Sequence, residues 1–92
     1  MSRPINTESV FRAVAHATRR RMLQLLRDRE MPAGDLVKQF HHSQPVTSRH
    51  LRVLQGAGLI TMRPKGTQRV YRLAPKGLDQ ISNWLASVQT RS

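Results

Sequence analysis

Apolar residues recur at helical spacing in five stretches of this chain and alternate in one short region. Thr7 or Glu8 to Ala15 predicts a first helix, with Val10, Phe11 and Val14 on one stripe. Thr18 to about Asp28 predicts a second: Met22, Leu23, Leu25 and Leu26 are its apolar positions, and Arg19, Arg20, Arg21 and Arg27 lie largely outside. Pro32 suits the first turn of a third helix, where a missing N–H leaves nothing unpaired. Leu36, Val37 and Phe40 give that helix its apolar face, and His41-His42 form the turn after it.

The segment from Ser43 to Ile60 reads SQPVTSRHLRVLQGAGLI. Ser43 is a capping residue with proline behind it in the first turn. Thr47, Leu51 and Leu54 at i, i+4 and i+7 bury one side, which leaves Gln44, Ser48, Arg49 and Arg52 mostly outward. Gly58 supplies the left-handed residue that ends the helix. Alternation then predicts a hairpin, with Ile60 and Met62 on one face of its first strand and Tyr71 and Leu73 on one face of its second. Lys65-Gly66-Thr67 is the expected tip. A last helix follows Pro75 and runs to about Val88, carrying Leu78, Ile81, Trp84, Leu85 and Val88 on one face. A polar, cationic helix followed at once by a basic hairpin is the arrangement of a winged helix-turn-helix that reads duplex DNA. The expected fold is therefore mainly α with a β-hairpin wing. It forms one domain over residues 1–92, with the helix-turn-helix at about 32–57, the wing at about 60–73 and a terminal helix at about 76–88.

Ninety-two residues with 38% hydrophobic content form a small core, so a partner subunit is expected to help stabilise it. The stripe holding the only Trp must pack somewhere, on the first helix of its own chain, across a two-fold axis, or both. The expected dimer surface is Val10, Phe11 and Val14 with Leu78, Ile81, Trp84, Leu85 and Val88. A formal charge of +11 points to a polyanionic partner or an anionic surface. Its distribution says more: no acid occurs between Asp35 and Asp79, while Lys38, Arg49, Arg52, Arg63, Lys65, Arg69, Arg72 and Lys76 all fall there. Without cysteine there is no disulfide, thiolate metal site or thiol switch. No apolar run approaches the ~20 residues of a membrane span, and the first residues lack a signal-peptide core, so a cytoplasmic protein without a membrane partner is expected.

The motifs FRAVAHATRRRMLQLL (Phe11 to Leu26), MPAGDLVKQF (Met31 to Phe40), SQPVTSRHLRVLQGAGLI and RPKGTQRVYRL together resemble ArsR-type bacterial repressors from about Ser9 to Trp84. The resemblance implies a homodimer through its first and last helices and repression at palindromic operators, usually relieved by metal or another inducer. Its base-reading positions fall on Gln44, Ser48 and Arg49, with Pro45, His50 and Arg52 beside them. Gln pairs bidentately with adenine and Arg with guanine, whereas Ser takes several partners or bonds back to its own helix. Arg49 and Arg52 have a second reading as phosphate contacts, and His50 has one as a packed, hydrogen-bonded side chain. Arg63, Lys65, Thr67, Gln68 and Arg69 of the wing are expected at the backbone or minor groove. Ala33 and Gly34 open the preceding helix, where N–H groups can meet a phosphate.

The chain also departs from the family. His16-Ala17-Thr18-Arg19 stands where Asp-Pro-Thr-Arg is common, which puts the start of the second helix in doubt. Pro32 replaces a capping Thr, Thr47 a core Val, and Gly56 an acid. The family's thiolate pair falls on Pro32 and Gly34, and its second metal site on Pro75, Gly77, Val88 and Arg91. No metal and no cofactor is therefore expected, and the inducer, if one exists, is not written here. His41 and His42 keep open a reading as an atypical metal site. A non-specific architectural DNA-binder would use the same charge. An enzyme is the reading with least support, since Glu8, Asp28, Glu30, Asp35 and Asp79 form no recognisable motif.

Overall fold

The computed structural model describes residues 6–89. Eight elements follow one another: α1 (Thr7–Val14), α2 (Ala17–Leu25), β1 (Met31–Pro32), α3 (Ala33–Lys38), α4 (Gln44–Gly56), β2 (Ile60–Lys65), β3 (Gln68–Leu73) and α5 (Pro75–Gln89). The five helices and the hairpin lie where periodicity puts them. Position 91 of the family's second metal site, Arg91, lies outside the described residues.

Each of the first helices begins on a side chain that can accept a hydrogen bond. Asn6 takes the N–H groups of Glu8 and Ser9, at 2.9 and 3.4 Å. His16 does the same for α2, its Nδ1 accepting from the Thr18 N–H at 3.2 Å. This resolves the doubtful start: an imidazole replaces the acidic cap, and the helix begins at Ala17. Ser43 Oγ accepts from the Val46 N–H at 3.3 Å. Pro32 is not the first residue of α3. It precedes it in an extended conformation, with no side-chain cap.

Helix α4 ends in a Schellman turn. The Leu59 N–H donates to the Leu54 carbonyl at 3.0 Å and the Gly58 N–H to the Gln55 carbonyl at 3.1 Å. Gly58 makes the reversal with φ of 80°, a conformation costly for any residue with a Cβ. Leu54 and Leu59, brought together by the turn, are both fully buried.

The sheet is antiparallel in the order β1-β3-β2. The hairpin pairs Ile60 with Leu73, Met62 with Tyr71 and Lys65 with Gln68. That leaves Gly66-Thr67 as a two-residue turn, with positive φ only at Gly66, as a type II′ turn requires. Pro64 sits on edge strand β2 beside Arg69, where a missing donor is tolerated. Strand β1 was not expected. Met31 and Pro32 pair with Tyr71 and Val70, and two residues are too few to show alternation.

The core joins Val10, Met22, Leu26, Met31, Leu36, Leu51, Leu54, Leu59, Ile60 and Tyr71. Val10, expected on the dimer surface, is fully buried within its own chain. Arg20 is exposed as expected and Arg19 half-buried, and both close the C-terminal end of α1. Arg19 Nε donates to the Ala13 carbonyl at 2.7 Å and Arg20 Nη1 to the Val14 carbonyl at 2.8 Å. Periodicity marks an apolar stripe but not whether its neighbour belongs to the same chain.

Two glycines should respond oppositely to alanine. A Cβ at Gly77 would lie 2.5 Å from the Gly58 carbonyl oxygen, where α5 meets the α4–β2 turn. A Cβ at Gly56 meets nothing within 4 Å. Chemical denaturation should show Gly77→Ala less stable by about 1–3 kcal/mol. Gly56→Ala should be more stable by about 0.5–1 kcal/mol. Equal effects at the two sites would contradict this packing.

Candidate nucleic-acid interface

Helix α4 divides its circumference between core and solvent. Thr47 and Leu54 are fully buried, with Leu51 at 2% and His50 at 7% exposure. Gln44, Pro45, Arg49 and Arg52 are exposed, and Ser48 is half-buried between the two faces. Thirteen residues at 1.5 Å each make a rod of roughly 20 Å. Its diameter suits a major groove about 12 Å wide.

Of the two readings of His50, beside the base-reading residues or packed and hydrogen-bonded, the structure has the second, with the ring turned inward. Its Nδ1 lies 3.3 Å from Arg19 Nη1. A guanidinium can only donate, so Nδ1 accepts and the ring proton sits on Nε2. His50 packs against His16 at 4.5 Å and His42 at 5.8 Å between ring centroids. Arg19 also reaches the Arg12 carbonyl at 3.3 Å. One side chain therefore ties the end of α1 to the inner side of α4. Nothing in the repeat of apolar positions signals this; the available clue is an Arg directly after a helix start that follows another helix end. His50 thus helps to hold α4 on the core.

Burial pushes the His50 pKa below its ordinary 6.5, and the positive charges of His16, Arg19, His42 and Arg49 push it the same way.

Thr47 replaces an apolar core residue, and its hydroxyl has no hydrogen-bond partner among the described residues. A buried, unpaired hydroxyl is a standing penalty.

The wing places Lys65, Thr67, Gln68 and Arg69 in the open around the Gly66 turn. Arg63 is different: its guanidinium pairs with Glu30 before β1, Nε lying 3.4 Å from Oε2. It braces the base of the wing across the sheet, a pairing invisible in sequence because 33 residues separate the partners. Ala33 is half-buried and Gly34 exposed at the start of α3. His41 and His42 are exposed in the α3–α4 turn, and His42 Nε2 lies 3.3 Å from Thr18 Oγ1. Among the described residues no three His, Asp or Glu side chains converge as metal ligands, and no helix is long and apolar enough to cross a membrane.

On the far side, α5 packs on α1. Phe11 and Trp84 meet edge-on at 5.5 Å, and Thr7 Oγ1 donates to Gln80 Oε1 at 2.9 Å. Leu78 and Ile81 pack partly against the core, while Trp84, Leu85 and Val88 remain 50, 41 and 59% exposed.

Known proteins share this arrangement. Residues 16–62 match the bacterial regulatory protein, arsR family. The HTH-type transcriptional regulator Rv2034 of Mycobacterium tuberculosis is 36% identical over 92 residues, all of this chain and 86% of its own. The transcriptional repressor SdpR of Bacillus subtilis is 38% identical over 77 residues, covering 84% of this chain and 86% of its own. A solved structure described as a possible transcriptional regulator for arsenical resistance superposes with a TM-score of 0.82 at 40% identity, over 90% of this chain and 86% of its own.

Two measurements check the inner face of α4. Thr47→Val should raise stability by about 1 kcal/mol in chemical denaturation, and a loss would mean the hydroxyl is bonded. Because the folded His50 pKa is depressed, its stabilising contribution is present above 6.5 and is lost as pH falls through the folded value. Melting temperature should therefore drop below that pH, and less in His50→Gln; parallel curves would remove His50 as the cause.

The winged helix-turn-helix and these relatives together establish that the chain belongs to the ArsR family of DNA-binding transcriptional regulators, which are not enzymes.

Proposed function

We propose that this chain is a homodimeric, sequence-specific repressor whose two α4 helices read the half-sites of a palindromic operator. The observation that carries the reading is the sidedness of α4. Its buried face is anchored to the core, and its open face presents Gln44, Ser48, Arg49 and Arg52 with Pro45 in the first turn. In this reading Gln44 and Arg49 pair with base edges, and Ser48 takes a base or a water at the groove floor. Arg52, Lys65, Thr67, Gln68 and Arg69 hold phosphates and set register, as do the first N–H groups of α3 at Ala33 and Gly34. Arg63 contributes by bracing the wing and adds charge at its base.

The exposed Trp84, Leu85 and Val88, with Phe11 beside them, are the proposed dimer surface. Val14, Leu78 and Ile81 lie at its edge. An apolar cluster of this kind on a small domain is the usual mark of a subunit contact. A two-fold axis there would set the half-sites one helical turn apart, about 34–36 Å.

Control by metal at the family's familiar positions has no ligands to rest on, because the chain has no cysteine and Pro32, Gly34, Pro75, Gly77 and Val88 cannot coordinate through side chains. Repression of its own gene is the simplest arrangement for such a regulator. One relative is named a transcriptional repressor, which supports the repressor reading. A sub-micromolar zinc site that weakens DNA binding, found by titration calorimetry, would overturn the metal-independent part.

Readout and steering separate by mutation. Gln44→Ala or Arg49→Ala should cost about 1–3 kcal/mol on an operator and relax preference at one position per half-site. Lys65→Ala should weaken all duplexes alike and flatten the salt dependence of binding. Fluorescence anisotropy with operator and random duplexes checks both. Equal losses on the two duplexes for Gln44→Ala would reassign the reading face and favour a non-specific architectural binder.

Leu85→Asp should shift the protein from dimer to monomer in light scattering and abolish tight operator binding. A dimer that survives would place the interface elsewhere.

A further inference from the structure

We propose that the cleft between the end of α4, the base of the hairpin and the start of α5 binds an amphipathic anion, a single acidic head on an apolar body. The cleft measures about 1170 Å³ and opens to solvent, comparable with the ~300–1,000 Å³ of small-ligand sites. Its apolar wall comes from Met62, Leu73 and Pro75, with the edge of Ile60 beneath. Around it stand three cations from three elements: Arg52 of α4, Arg72 of β3 and Lys76 of α5. No acidic residue lines it, and none of the three cations makes an ion pair among the described residues. Small residues create the hollow: Gly56, Ala57, Gly58 and Ala74 line it, and a Cβ at Gly56 would point into open space.

Three like charges around an apolar wall repel one another, and water alone screens them. An anion with an apolar body satisfies both halves of the site: its head neutralises the cations and its body covers the wall. A fully hydrated ion would leave the wall bare, and a neutral apolar molecule would leave the charge unanswered. A nucleic-acid backbone meets the charge but has no use for Met62 and Leu73.

The site also touches the elements that set DNA binding. Arg52 belongs to the proposed phosphate contacts, so a ligand that engages it competes with DNA for the same guanidinium. That consequence rests on the proposed reading of α4. Binding of the ligand itself does not.

The test begins without DNA. The probe 11-(dansylamino)undecanoate, kept below its micelle concentration, should bind saturably and be displaced by dodecanoate but not by dodecanol. The double variant Arg72→Ala, Lys76→Ala should weaken the probe tenfold or more with its melting temperature unchanged. Gly56→Leu, which fills the hollow and keeps every charge, should weaken it as well. No saturable binding, or displacement by dodecanol as effective as by dodecanoate, would overturn the proposal. So would a double variant that binds the probe normally but loses affinity for random duplex, since the cations would then serve DNA. On a duplex that the protein binds, dodecanoate should lower affinity about tenfold, and Gly56→Leu should blunt that loss. Loss of operator binding with probe binding intact would instead sink only the DNA reading.

Discussion

Everything that α4 presents outward depends on how its inner side is held. A helix that rotates by one residue moves every side chain by about 100°, so the reading face exists only if the buried face has one seat. Thr47, Leu51 and Leu54 supply the packing of that seat, and Ser43 and the Gly58 turn fix its two ends. Between them His50 meets Arg19, whose other bonds hold the end of α1. The unpaired Thr47 hydroxyl weakens this seat somewhat, and the arginine–imidazole contact adds a polar anchor where the apolar one is imperfect.

The same contacts connect the parts of the molecule that must work together. Helix α1 carries Phe11 against Trp84 on the proposed dimer side, and Arg19 links its last turn to α4. On the opposite flank, Gly77 lets α5 touch the Gly58 carbonyl directly. The terminal helix therefore rests on the turn that ends α4, backbone close to backbone. Helix α4 is thus held from both flanks, by Arg19 on one and by α5 on the other. The cationic cleft lies on the second of these flanks, between α4, the hairpin and α5.

Much of this was legible in sequence, for identifiable reasons. The i, i+4, i+7 spacing of Thr47, Leu51 and Leu54 was visible because an amphipathic helix must repeat it. Ser43, Gly58 and Gly66 were visible because caps and tight turns restrict residue type. What stayed hidden was long-range or ambiguous in sign. Val10 belongs to the same stripe as Phe11, and only three-dimensional packing shows that it faces its own core. Strand β1 is too short to alternate, and it exists because β3 offers it a ladder. Arg19 and Arg63 read as outward or DNA-facing residues and His50 as either DNA-facing or packed, while His16 looked only like a lost acidic cap; each has a partner inside the chain. Gly77 looked like a missing ligand and proves to be a point of backbone contact.

If two copies of α4 read matched half-sites, duplexes selected by the protein from a random-sequence pool at near-physiological salt and then sequenced should be enriched in an inverted repeat with half-site centres about one helical turn, 10–10.5 base pairs, apart. Survivors with no common motif, or a single unrepeated site, would contradict that reading.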